Sequence, residues 1–569
     1  MSTQNLDLDE IHGRVEAAID PLGLFAPIVH AQLAWLAHPE ELAKTLTQAS
    51  GLAWQLAAHN WRRSLGLVAE DVISPHGDDT RFSDPVWRQY PSFDVLKENY
   101  LALTHQMQDM LYETPGLSNR ERRRAAFWWR KWLNAMAPTN FFWTNPVAIR
   151  KCVETGGDSL RRGMQNLLAD LRAGNVRMTD PGDFQVGRNL AMTPGAVVFR
   201  NRLFELIQYR PTTASVRETP VVLITPWINR YYIVDLTQKK SLVRYLLDQG
   251  FSVFVTSWKN PGAEMAATQF EDYLTEGVIP AIDVARAVTG AAQAHAVGYC
   301  IGGTLLAAYM AWAHARYGKS EQMPVVHWTL FTTLVDFHKP GDIEVFIDEA
   351  SIAYIEAGMK RQGFLDGSQM AAAFRLLRSN SLIWHYVVHS YLYGEKPPPF
   401  DVLYWNMDTT RMPAAMHGWY LRELYLRNRL IRKGGVNLAG ESIDLGRITQ
   451  PLYCVAAEDD HIAPWRSVFR INNLVNAPKR FVLSSSGHIL GIINPPVKPP
   501  KRHYWVAEAH RSETAESWRD RAGERNGSWW EDWVDWLHKR CGNMVDAPGV
   551  GNASFPELLT APGSYVLER

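Results

Sequence analysis

Cysteine is scarce in this chain: four residues in 569, at positions 152, 300, 454 and 541. They are too far apart for a CxxC pair and too few for the disulfide ladder of a small secreted protein, so a reduced, cytoplasmic setting is expected. Charge of one sign is also missing. Lys plus Arg and Asp plus Glu both total 59, and no basic run offsets that balance, which argues against nucleic-acid binding. No window reaches the roughly 18 uninterrupted apolar residues of a bilayer span. The N-terminus, MSTQNLDLDEIHGRVEAAID, is acidic and polar and lacks the apolar stretch of a signal peptide. HExxH and P-loop patterns are absent too, so neither a metal nor a bound cofactor is expected. What the chain does have is length beyond one ordinary core, hence two regions, and 22 tryptophans, residues suited to cores and to wet–apolar boundaries.

Up to about residue 180 the pattern is helical. PEELAKTLTQASGLAWQLAAHNW sets Leu42, Leu46, Ala49, Ala53 and Leu56 on one helix face, and FDVLKENYLALTHQMQDMLY reads the same way. NFFWTNP is an aromatic loop closed by Pro146. After DPGDF, at 180–184, short apolar runs alternate with helical segments: VVLITP, FSVFVTSW, HAVGYC, PLYCVAA and RFVLSSS. Such alternation predicts a mostly parallel sheet covered on both faces. The expected organisation is a mainly helical domain over 1–185 and an α/β catalytic domain over 186–569. Aromatic and proline-interrupted stretches at about 330–445 read as a cap inserted over the sheet edge. NPPVKPPK at 494–501 reads as a local extended turn, and WWEDWVDWL as a docking helix with Trp530, Trp533, Val534 and Leu537 on one stripe.

The strongest chemical signal is HAVGYCIGGTLLAAYMAW. A strand runs into Gly298-Tyr299-Cys300-Ile301-Gly302 and a helix follows, which is the G-x-S-x-G nucleophile elbow with cysteine in place of serine. A nucleophile on a sharp strand-to-helix turn needs glycines two positions to either side, and the helix N-terminus below it favours negative charge. A glycine-flanked cysteine alone fits an ordinary buried thiol equally well; the flanking strand and helix favour the elbow. An elbow then requires an acid after a later strand and a histidine after the last one. PLYCVAAEDDHIAP supplies Glu458, Asp459 and Asp460, of which Asp460, four residues before Pro464, is preferred. RFVLSSSGHILGI supplies His488. His461 competes for the base but follows the acid directly, so a loop or supporting role suits it better. The oxyanion donors are expected at the backbone N–H of Ile301 and at Trp227 or Ile228 in LITPWINRYY. Together these features define an α/β-hydrolase fold with a cap and a helical N-terminal domain.

Taken together, the segments resemble the polyhydroxyalkanoate synthases, which polymerise (R)-3-hydroxyacyl-CoA thioesters. GYCIGG matches that family's G-x-C-x-G-G box, DDHIAPW its acid segment, and SGHILGIINPP its base segment. PWINRYYIVDL, SWKNPG, FDVLYWNMDTTRMP and GSWWEDWVDWL are similar to family segments as well. The likeness is dense from about 185 to 540, opening with VGRNLAMTPGAVVFRN, and it persists more thinly in the N-terminal region through NFFWTNP. Tyr299 in the box and WYLRELYLRN resemble the short-chain, single-subunit class, while DTTRMPAAMHG resembles the medium-chain group. Trp405 matches a tryptophan that the family places near its subunit contact or active-site edge; a packed cap aromatic fits it equally well.

The resemblance implies an acyltransferase forming poly(3-hydroxybutyrate) or a related polyester through an acyl-cysteine on Cys300. His488 takes the thiol proton, and either His488 or Asp460 activates the attacking hydroxyl. The resemblance further implies a cytoplasmic homodimer at polymer granules, with granule-associated proteins as partners and the N-terminal domain serving assembly or granule association. Two other readings use the same residues or the same surface: a cysteine-triad thioesterase or esterase, which would release free acid, and a non-catalytic granule-binding protein, which would release no CoA.

Overall fold

The computed structural model describes residues 20, 22–75, 79–318 and 322–569. The acidic stretch at the N-terminus lies almost wholly outside these. Among the described residues, no helix is long and apolar enough to cross a membrane. The chain forms two compact units, Met1–Asp180 with Ala372–Pro399, and Pro181–Ala371 with Phe400–Arg569.

The first unit is helical. Helix α1 (Pro39–Ser64) packs on α2 (Pro91–Tyr112), and α2 on α3 (Asn119–Ala135). A capping box starts α3: Ser118 Oγ accepts the Glu121 N–H at 3.3 Å, and the Glu121 carboxylate accepts the Ser118 N–H at 2.8 Å. The inward stripe of α1 differs from the expected one. Leu46 and Ala53 are exposed, whereas Leu42, Ala49, Leu52 and Leu56 are half-buried, and the stripe ends in buried His59 and Arg63. The shift follows from charge burial, because Arg63 Nε pairs with buried Asp94 at 2.7 Å. Pro146 opens a helix (Pro146–Glu154) instead of only ending the aromatic loop, with the Asn145 side chain capping the N–H groups of Val147 and Ala148. Residues Ala372–Pro399 fall inside the stretch read as cap, yet they group with this unit. Lys131 Nζ donates to the Leu377 carbonyl at 2.8 Å, and on α4 (Asp158–Ala173) Asp170 accepts from the Tyr391 hydroxyl at 2.9 Å.

The second unit is built on an eleven-stranded sheet. Its strands are β1 (Gly195–Arg200), β2 (Phe204–Tyr209), β3 (Val221–Ile224), β4 (Val253–Trp258), β5 (Ala294–Tyr299), β6 (Val325–Phe331), β7 (Leu452–Ala457), β8 (Lys479–Ser484), β9 (His503–Glu508), β10 (Gly523–Asn526) and β11 (Leu559–Thr560). The spatial order is β10-β9-β8-β7-β6-β5-β3-β4-β2-β1-β11. Strands β4, β3, β5, β6, β7 and β8 run parallel, and the strands outside them pair antiparallel. The five expected apolar runs are β3, β4, β5, β7 and β8.

Both faces of the sheet are covered. On one lies α5 (Ile301–Tyr317), whose residues Ile301 to His314 are all buried. On the other lies α7 (Trp529–His538), reached after α6 (Asp401–Met407) and carrying buried Trp529, Trp530, Trp533, Val534 and Leu537. A directional polar chain ties α7 to the middle strands. Trp533 Nε1 meets Thr329 Oγ1 at 3.0 Å, Thr329 meets His295 Nε2 at 3.0 Å, His295 Nδ1 meets His327 Nδ1 at 2.5 Å, and His327 Nε2 meets the Arg540 carbonyl at 3.2 Å. A carbonyl only accepts, so His327 Nε2 carries a proton; with both imidazoles neutral, His295 Nδ1 then donates to His327 Nδ1 and the Thr329 hydroxyl donates to His295 Nε2. Burial holds both histidines below their ordinary pKa, His327 at about 4.

Candidate active site

Strand β5 delivers Cys300 into a left-handed backbone conformation, φ 52° and ψ −123°, before α5 begins. This costs a non-glycine residue about 1–3 kcal/mol and persists only where the surroundings over-determine it. Here they do. The Cys300 N–H donates to the Phe331 carbonyl of β6 at 2.9 Å, and the Cys300 carbonyl accepts from Gly303 and Thr304 at 2.9 and 3.1 Å. The two flanking glycines are required by close approach. A Cβ on Gly298 would lie 2.5 Å from Gly303 Cα, and one on Gly302 would run into the carbonyls of Ile224 and Thr225.

Cys300 is half-buried, while Cys454 and Cys541 are buried among apolar neighbours. Burial raises both of those thiols, Cys541 to about 12, and keeps them protonated and inert.

The acid and base loops are stitched together by backbone hydrogen bonds. Glu458 N–H donates to the Ser484 carbonyl at 2.8 Å and Asp459 N–H to the Ser486 carbonyl at 3.0 Å. Between these loops, His488 Nδ1 lies 2.6 Å from Asp460 Oδ2. The other carboxylate oxygen, Oδ1, accepts the N–H groups of Ile462 and Ala463 at 2.8 Å each. Asp460 is therefore buried and fully engaged, whereas Glu458 and Asp459 are exposed. With Nδ1 turned to Asp460, Nε2 is the ring nitrogen left for Cys300, which is close enough to act on the charge of this imidazole. Burial disfavours the His488 cation, but the Asp460 charge, the Cys300 sulfur and the hydrogen bond to Asp460 outweigh it and raise His488 to about 10. Such an imidazole readily takes a proton from the thiol.

The remaining expected residues are placed as follows. Ile301 is the first residue of α5, so its N–H has no carbonyl one turn back. Trp227 and Ile228 follow β3; among the described residues the N–H groups of Ile301, Trp227 and Ile228 meet no protein acceptor. Trp227 and Ile301 are both buried, and buried N–H groups without a partner are rare. His461 is half-buried, and its carbonyl accepts the Asp342 N–H at 3.1 Å. Trp405, on α6, is buried, and its indole N–H donates to the Arg230 carbonyl at 2.6 Å.

Three tyrosines complete the surroundings: Tyr299 of the elbow, and Tyr420 and Tyr425, which were not expected there. The Tyr299 hydroxyl donates to the His488 carbonyl at 3.1 Å. Tyr420 and Tyr425 lie with ring centroids 5.2 Å apart. Burial raises both phenols, and the charge of Cys300 raises them further, so both remain donors. They sit in a widened helical turn, Tyr420–Leu426, of the kind often found at functional sites. WYLRELYLRN carried them in the sequence, but no local spacing ties a cap tyrosine to a cysteine 120 residues away.

Six central parallel strands, a strained turn at the end of one and an acid–histidine pair at the ends of two others define an α/β-hydrolase-fold protein. Residues 220–495 match the family model for the alpha/beta hydrolase fold, and residues 78–246 match that for the poly-beta-hydroxybutyrate polymerase (PhaC) N-terminus. The poly(3-hydroxyalkanoate) polymerase subunit PhaC of Rhizobium meliloti is 40% identical over 539 residues, covering 94% of this chain and 87% of the relative. The poly(3-hydroxyalkanoate) polymerase of Methylorubrum extorquens is 41% identical, covering 94% and 88%. The PhaC subunit of Cupriavidus necator is 40% identical, covering 86% and 83%. The chain belongs to the poly(3-hydroxyalkanoate) polymerase family, and it is an acyltransferase.

Proposed function

We propose that this chain polymerises (R)-3-hydroxyacyl-CoA, 3-hydroxybutyryl-CoA foremost, and releases CoA through an acyl-cysteine on Cys300. The observation that carries this reading is the placement of His488 between Asp460 and the Cys300 thiol.

In acylation, His488 Nε2 takes the Cys300 proton and the sulfur attacks the thioester carbonyl. The N–H groups of Ile301 and of Ile228 or Trp227 receive the developing oxyanion. Its collapse expels the CoA thiolate, which takes the proton back from His488 as CoA leaves. Exchange of one thioester for another is near thermoneutral, which suits a cysteine better than a serine. In elongation, a hydroxyl of a second monomer or of the growing chain attacks the acyl-Cys300 carbonyl. An ester forms, the thiolate leaves, and the hydroxyl proton passes to His488, with Asp460 stabilising the cation. No metal or redox cofactor takes part, since the CoA thioester is the substrate. We assign the chain to the surface of cytoplasmic polymer granules, as a homodimer, with granule-associated proteins as further partners.

The test is a paired assay over a series of acyl lengths, following CoA release together with chloroform-soluble polymer and free acid. Polymer formed in step with CoA release supports the reading. Stoichiometric soluble acid without polymer would make the protein a thioesterase, and surface binding without CoA release would make it a non-catalytic granule protein.

A further inference from the structure

We infer that Thr410 is a positioning residue for the oxyanion donor, an inference that rests on the acyl-transfer reading above. Thr410 is buried, 181 to 183 residues from the loop it touches. Its Oγ1 donates to the Trp227 carbonyl at 2.6 Å and accepts the Asn229 N–H at 2.8 Å. One hydroxyl thus grips the backbone on both sides of Ile228.

Peptide geometry turns this grip into orientation. The Trp227 carbonyl and the Ile228 N–H belong to one planar trans peptide and point in opposite directions. Holding the carbonyl toward Thr410 therefore turns the Ile228 N–H away from it, where, among the described residues, it meets no protein acceptor. The next peptide is held through the Asn229 N–H, so neither plane flanking Ile228 rotates freely.

The neighbouring backbone needs such support. Asn229 sits at φ 65°, a left-handed conformation that a non-glycine residue adopts at a cost. Its side-chain amide donates to the carbonyls of Trp405 and Asn406 at 3.1 Å each, and the Trp405 indole holds the Arg230 carbonyl at 2.6 Å. The segment from α6 to Thr410 is therefore a brace for residues 227–230, and Thr410 is the member that sets the donor plane. A preorganised donor accelerates acyl transfer because it need not reorganise as charge develops.

Thr410→Val keeps the shape and removes the hydroxyl, Thr410→Ser keeps the hydroxyl, and Thr410→Ala is a smaller deletion should valine impair folding. The full-length chain is assayed for CoA release from (R)-3-hydroxybutyryl-CoA, with kcat and KM measured separately and thermal unfolding checked in parallel. Thr410→Val and Thr410→Ala are expected to lower kcat roughly 10- to 100-fold with KM nearly unchanged, since an oxyanion donor acts on the transition state. Thr410→Ser is expected to retain most of the parent kcat. Parent-like kcat in the valine or alanine variant would overturn the inference, as would an equal loss in the serine variant. A parent chain that releases no CoA at all would instead remove the acyl-transfer reading beneath it.

Discussion

At Cys300 the backbone conformation and the proposed chemistry depend on each other. The left-handed turn lifts the sulfur clear of the strand, and two glycines with no room for a Cβ let the chain close around it. That dependence is why the elbow could be read from the sequence: the chemistry itself dictates the spacing. The acid was harder, because three carboxylates stand side by side. Burial and the two backbone donors at Oδ1 set Asp460 apart from Glu458 and Asp459. Asp460→Asn should leave the fold intact while removing the charge that favours the His488 cation and its tautomer. We expect kcat for CoA release to fall about 10³- to 10⁴-fold; a loss of less than tenfold, measured with unchanged circular dichroism, would remove Asp460 from the triad. Thr410 and Asn229 could not have been found this way. Their contribution is hydrogen bonding to backbone across more than 170 residues, and backbone acceptors leave no trace in side-chain pattern.

At the scale of elements, the alternation of strand and helix was legible in the five runs named from the sequence, β3, β4, β5, β7 and β8. Strand β6, VVHWTLF, was not among them, and it carries the buried polar residues His327 and Thr329. Both are buried without penalty only because the Trp533–Thr329–His295–His327 chain satisfies them. Strand β2 is alike in this: buried Glu205 accepts the N–H groups of Ser564 and Tyr565, and buried Gln208 donates to the Gly549 carbonyl. The histidine pair also predicts a pH dependence. Their folded pKa values lie below the unfolded value of 6.5, His327 at about 4. Below pH 6.5 the unfolded chain therefore binds more protons than the folded one, and stability falls as pH drops from 6.5 toward 4. Each histidine contributes a slope of up to about 1.4 kcal/mol per pH unit. His327→Gln should flatten that acid-side slope, as read from denaturant unfolding at pH 5, 6 and 7; an unchanged slope would place the titration elsewhere.

At the scale of the whole molecule, the grouping of Ala372–Pro399 with the N-terminal helices is the feature that no sequence pattern announced. The change of character near residue 180 was visible in composition, because helical amphipathicity gives way there to short apolar strands. A segment that leaves the later part of the chain to join the first unit carries no such mark, since its partners, among them Lys131 and Asp170, are more than 200 residues away. Removing residues 1–180 should therefore strip that segment of its contacts. We expect the 181–569 fragment to aggregate on size-exclusion chromatography and to melt below the full chain; a monodisperse fragment with the parent melting temperature would show that the segment needs no N-terminal partner.

The central claim, that chemistry passes through sulfur at position 300, is tested most directly by trapping the acyl-enzyme. The full-length chain is mixed with (R)-3-hydroxybutyryl-CoA, quenched in acid, digested and analysed by mass spectrometry. The account predicts one or more hydroxybutyryl units on the peptide containing Cys300, and none on any peptide of the Cys300→Ala variant. Acyl groups on a different residue, or undiminished acylation in the alanine variant, would contradict it.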